Sequence, residues 1–70
     1  MTLSEFLAAL NNPQAVVTIN EPGEGTAVTE LIKMYAAGYE QLLAELLARE
    51  VDKVTVVNQN AITVLLKTSI

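Results

Sequence analysis

From Val51 onward the chain changes its hydrophobic period. Val51 to Val57 and Ala61 to Lys67 are two runs dense in β-branched residues, and only Asn58-Gln59-Asn60 separates them. Two strand-like runs joined by so short a polar turn predict an antiparallel hairpin, because the connection is too tight for anything but a reversal. A lone hairpin is marginal in water, so the rest of the chain must extend or cover it. In the second run Ile62, Val64 and Leu66 share one face, with Ala61, Thr63, Leu65 and Lys67 on the other. The first run sets Val54 and Val56 against Thr55 and Val57. Apolar residues thus occur on both faces, where a sheet covered on one side only would show a cleaner polar face. This marks Val57 and Leu65 as candidate contacts for a second chain.

The N-terminal half supplies a helix and another hairpin. Thr2-Leu3-Ser4-Glu5 reads as a capping box, and Leu3, Phe6, Leu7 and Leu10 follow at helical spacing until Asn11-Asn12-Pro13 ends the run. Ala15-Val16-Val17-Thr18-Ile19-Asn20 reads as a strand, and Glu21-Pro22-Gly23-Glu24-Gly25 as the turn after it, since Pro fixes φ and Gly tolerates positive φ.

The segment from Thr26 to Glu50 fits two periods. As one helix, Val28, Leu31, Ile32, Tyr35, Tyr39, Leu42, Leu43 and Leu46 form a continuous apolar stripe. As strand then helix, Val28 to Met34 pairs back onto Ala15 to Asn20, and Gly38 breaks the chain before a helix from about Tyr39 to Arg49. Gly38 inside a long helix costs about 1 kcal/mol relative to Ala, which tilts the balance toward the second version. In either version Leu42, Leu43, Leu46 and Leu47 share a face, and Glu45 and Arg49 stand four apart as an ion pair in the favourable order.

Leu31-Ile32-Lys33-Met34-Tyr35-Ala36-Ala37-Gly38-Tyr39, followed by Leu46-Leu47-Ala48-Arg49-Glu50-Val51 and a closing β run, resembles small uncharacterised proteins of Gram-positive phages and integrated mobile elements. The resemblance covers most of the length and rests on an apolar pattern with Gly38, Arg49 and Val51 as its distinctive points. It implies no particular activity; it favours a strand for Val28 to Met34. The expected fold is therefore a single α+β domain over residues 1–70, with a small antiparallel sheet of about four strands and two helices in the order α-β-β-α-β-β. A long central helix, α-β-α-β-β, is the alternative.

Composition narrows function mainly by exclusion. Eight acids oppose four bases, Lys33, Arg49, Lys53 and Lys67, for a net charge of −4. Phosphate backbones are bound by Lys and Arg that displace condensed counterions, so no nucleic-acid partner is expected. The absence of cysteine removes disulfides and thiolate chemistry and suits a cytoplasmic address. The apolar runs are a few residues long, far below the roughly 20 a membrane span needs, and Met1-Thr2-Leu3-Ser4-Glu5 has an acid where a secretory leader has bases. There is no histidine, so acid–base chemistry near neutrality would fall to a carboxyl group of raised pKa, and none is marked. Glu21, Glu24 and Glu30 could offer oxygens to a hard cation, but their spacing matches no calcium loop and a solvated turn accounts for them. Gly23-Glu24-Gly25 lacks the Lys-Ser/Thr of a phosphate loop, and Ser4 and Ser69 have no partnering base. No catalytic residue, metal, cofactor or small-molecule substrate is expected.

What remains is surface. Tyr35 and Tyr39 flank Gly38, and tyrosine is enriched at protein interfaces because it offers a large ring and a hydroxyl at low entropy cost. A chain of 70 residues with one Phe, two Tyr and no Trp has a small core, so burial gained by self-association would matter. The leading expectation is a non-enzymatic protein-interaction module that binds itself or another protein, with Tyr35, Tyr39, Val57 and Leu65 as candidate contacts. An acidic mimic of nucleic acid, inhibiting a host enzyme, is the alternative.

Overall fold

A computed structural model describes residues 1–23, 25 and 27–67 of the chain; Glu24, Thr26, Ser69 and the rest of the C-terminal tripeptide lie outside the described residues. The elements are α1 (Leu3–Ala9), β1 (Val16–Pro22), β2 (Val28–Tyr35), a 3-10 segment (Ala36–Gln41), α2 (Ala44–Leu47), β3 (Val51–Asn58) and β4 (Ala61–Leu66).

The capping box forms as the sequence predicts. The Glu5 amide donates to Thr2 Oγ1 at 3.2 Å, and the Thr2 amide donates to Glu5 Oε1 at 2.9 Å. Both satisfy amides that a helix start leaves without intrahelical partners. Leu3 and Leu7 are buried, and Phe6 and Leu10 pack against them at the rim of the core.

Val28–Tyr35 is a strand, so the long-helix alternative is excluded. It pairs antiparallel with β1, Val16 opposite Tyr35 and Ile19 opposite Ile32. The turn depends on close backbone approach at Gly23, whose amide donates to the Ala27 carbonyl at 2.7 Å. A Cβ at Gly23 would stand 2.6 Å from that same oxygen. Gly25 takes a φ of 73°, in the left-handed region that favours glycine.

The chain then crosses from β2 at one sheet edge to β3 at the other, three strand spacings or roughly 14 Å. The continuous helix expected from Tyr39 to Arg49 does not form. Leu42 and Leu43 are extended, with ψ of 151° and 144°, between the 3-10 segment and a single turn of α2. Neither helical piece has a side-chain cap, and short uncapped helices hold only through burial. The extended break lets Tyr39, Leu42, Leu46 and Leu47 all reach the core, and it turns Leu43 outward to 75% exposure. Leu43 therefore leaves the apolar face assigned to it by spacing. Because α2 ends at Leu47, the expected Glu45–Arg49 pair is replaced: the Arg49 guanidinium bonds Glu21 instead.

β3 and β4 form the predicted hairpin, closed by the Asn60 amide donating to Asn58 Oδ1 at 2.8 Å. Asn12 Nδ2 reaches across to the Gln59 carbonyl at 3.1 Å and to Asn60 Oδ1 at 3.2 Å, tying the loop after α1 to this turn. The strand order is β2-β1-β4-β3, with β1 and β4 parallel at the centre. The sheet is thus mixed rather than wholly antiparallel: each hairpin is antiparallel, but the crossing connection delivers β4 alongside β1 in the same direction. The helices cover one face. Ala15, Val17 and Ile19 from the first hairpin and Ile62, Val64 and Leu66 from the second are buried there with Leu3, Leu7 and Ala36. Among the described residues no buried side-chain nitrogen or oxygen lacks a hydrogen-bond partner.

Two outcomes follow. Gly23→Ala forces the turn backbone apart and should cost about 1–3 kcal/mol in urea unfolding. Hydrogen bonding from the Thr2 amide, and then from its side chain, holds the exposed Glu5 carboxyl below its ordinary value of 4.5. A depressed folded-state pKa gives stability that is present above the unfolded value and lost as pH falls through the folded one. The stability difference between wild type and Glu5→Gln should therefore be present at neutral pH and shrink as pH falls below 4.5, read by unfolding curves across that range.

Candidate functional site

The helix layer does not reach all of the sheet, and the uncovered parts are where a partner could bind. The first is a groove between the β2 edge and α2. The β1–β2 register shifts between Ile19 and Asn20, so that Ile32 faces Ile19, Glu30 faces Asn20, and Leu31 between them has no partner in the ladder. Such a bulge bends the strand and re-aims a side chain. Leu31 and Ile32 line the groove on one side and Leu43, Glu45, Leu46 and Arg49 on the other, around about 490 Å³ of open space. The outward turn of Leu43 supplies much of its apolar lip.

Arg49 closes one end of this groove, and its guanidinium is already engaged. One nitrogen donates to Glu21 Oε2 at 3.0 Å and the other to the Lys67 carbonyl at 2.7 Å. Its own carbonyl accepts from the Leu3 amide at 2.8 Å. Arg49 thereby joins the end of β1, the end of β4 and the start of α1. It acts as a structural clamp, and the groove it borders is apolar with Glu45 as its acidic side chain.

The second uncovered region is the β3 edge. Val54 and Val56 lie opposite Val64 and Ile62, on the face that carries the core, yet Val56 is 67% exposed because no helix passes over it. Val57 falls in a register shift between Val56 and Asn58 and is 64% exposed. Its proposed companion Leu65 sits on the interior strand β4, half-buried and opposite Lys53, so the structure does not bring Val57 and Leu65 together.

The tyrosines also separate. Tyr35 ends β2 opposite Val16, on the face away from the helices, and is 65% exposed beside Pro13, Gln14 and Ala37. Tyr39, in the 3-10 segment, packs against the core from the helix side. The chain turns from one face of the sheet to the other between them, so spacing in sequence did not mean a shared patch. Glu21 is ion-paired with Arg49, Glu30 stands on β2, and Glu24 lies outside the described residues. Among the described residues no three His, Cys, Asp or Glu side chains are grouped to hold a metal, and no helix is long and apolar enough to cross a membrane.

Spacing in the sequence marks none of Val54, Val56 and Leu43 as a contact residue. The first two followed a strand alternation that looked like core, and only strand order shows that β3 is an edge. One signal was available: from Lys53 to Ile62 the chain carries a single charged side chain.

Arg49→Met keeps the aliphatic stem and removes both hydrogen bonds, so it should destabilise the fold by about 1–3 kcal/mol in urea unfolding, while Arg49→Lys, unable to serve both acceptors, should fall between it and wild type. No protein-family model, no curated protein and no solved structure matches the chain.

Proposed function

We propose that this protein is a small, acidic, non-enzymatic protein-interaction module, of phage or mobile-element origin, that works by associating with itself. The observation that carries this reading is the β3 edge, where Val54, Val56 and Val57 remain exposed on a strand with a partner on one side only. Exposed apolar residues grouped on an unprotected sheet edge are what a soluble monomer avoids and what an interface uses. The size of the chain adds a reason. A core of nine buried apolar side chains among the described residues gives limited stability, and mass action makes any contact specific to the folded state stabilising. The origin rests on the sequence resemblance alone.

The reading is tested by solution mass in a concentration series from micromolar to millimolar, with thermal unfolding at each point. Mass should rise toward twice that of the 7.5 kDa chain, and the unfolding midpoint should rise with concentration. A monomeric mass throughout, with a midpoint independent of concentration, overturns it.

A further inference from the structure

At the start of β3 the Val51 amide donates to the Met1 carbonyl at 2.8 Å and Thr2 bridges Glu50. From Asp52 onward the outer edge is a row of backbone amides and carbonyls with no neighbouring strand among the described residues, because β3 pairs there with β4 on one side only. Its regular stretch, Lys53 to Val56, lies between two register shifts. Val54 and Val56 present core-type side chains on the core side of the sheet, and Val56 is far more exposed than Ile62 directly across from it, which is 8% exposed. A strand with apolar side chains continuous with a core and an unpaired edge is a template for one more strand.

We propose that the strand docking there is β3 of a second copy of this chain, antiparallel about a two-fold axis through Thr55, so that two four-stranded sheets become one continuous sheet. This rests on the self-association reading and specifies where and in what register the association occurs. The geometry selects the register. A two-fold axis normal to the sheet keeps both helix layers on the same side, and residues directly opposite in an antiparallel pair share a face. The axis must then pass through a residue and not between two. Through Thr55, Val54 of each copy meets Val56 of the other, and four valines bridge the two cores as favourable cross-strand pairs. The two Thr55 side chains meet at the axis. An axis through Lys53 would set two ammonium groups against each other, and one through Val54 would set Asp52 against Val56.

Charge selects a second copy at this edge over the other. Lys53 is the single charged side chain from residue 53 to residue 62, and in the Thr55 register the carboxylate of Asp52 stands opposite Asn58, so two copies of a chain of net charge −4 meet here with no acid set against another. The opposite edge, β2, carries Glu30 and Lys33, and its ladder is interrupted at Leu31. Charges and a bulge are the usual means of blunting an edge: on β2 they fall in mid-strand, at Glu30, Leu31 and Lys33, whereas on β3 Asp52, Lys53 and the two register shifts flank Val54 to Val56 and leave that stretch regular.

The chain has no cysteine, so Thr55→Cys introduces one thiol. Side chains opposite each other across an antiparallel pair have Cβ atoms about 5 Å apart, within reach of a disulfide or a short thiol crosslinker. Thr55→Cys should form a covalent dimer faster than Lys53→Cys, Val57→Cys or the open-face control Thr63→Cys at equal concentration. Val56→Lys should weaken the dimer about tenfold or more by mass measurement, since it opposes two aliphatic contacts with charge. Its unfolding curve at dilute concentration should match wild type, because the side chain is already exposed. A wild-type dimer in which Thr55→Cys has no crosslinking advantage and Val56→Lys no effect places the interface elsewhere: edge pairing is overturned and self-association stands. A wild type that stays monomeric at millimolar concentration overturns both.

Discussion

The parallel pairing of β1 with β4 is the contact on which the rest of this molecule depends. Each hairpin can form from its own local turn, but neither has a face large enough to bury alone. Val16 opposite Ala61 through Asn20 opposite Leu65 aligns the two hairpins so that Val17 and Ile19 stand beside Ile62 and Val64. All four are buried, and α1 lays Leu3 and Leu7 over them. The pairing joins residues more than forty positions apart in the chain. Its closure therefore carries a loop entropy that only the shared core offsets.

That central pair also fixes which parts are exposed. With β1 and β4 inside, β2 and β3 become the two edges, and the fifteen residues from Ala36 to Glu50 must cross the sheet to connect them. A connection of this length covers the middle strands and one edge incompletely. The groove beside Leu31 and the bare valines of β3 are the two margins of that coverage. The Arg49 clamp belongs to the same geometry, since the ends of β1 and β4 lie close enough for one guanidinium to bond both Glu21 and the Lys67 carbonyl.

Much of the fold was legible in the sequence because it is written in short-range chemistry. Thr2 and Glu5 announce a helix start, Pro22 and Gly23 a reversal, and Asn58 to Asn60 a second one. The alternation of Ile62, Val64 and Leu66 gives the buried face of β4 correctly. The second helix was overread because Leu42, Leu43, Leu46 and Leu47 satisfy a helical stripe, while burial of Leu42 is reached by an extended backbone instead. The candidate contacts fared unevenly for a related reason. Tyr35 and Tyr39 are four residues apart, yet the strand ends between them, and Val57 and Leu65 belong to an edge and an interior strand.

The sequence by itself determined α1, the reversal after β1 and the closing hairpin, since capping, turn residues and side-chain alternation act over a few residues and need no distant partner. That Val28–Tyr35 is a strand and that the second helix is broken followed from pairing and packing. Only the tertiary structure decided that the central strands run parallel, that Arg49 pairs with Glu21 and not Glu45, and that β3 is an edge. Those outcomes depend on which strands meet through space, and that is set by the shared core and the path of the crossing connection. The same valine is core on an inner strand and contact surface on an outer one, and strand order, which no local pattern encodes, makes the difference.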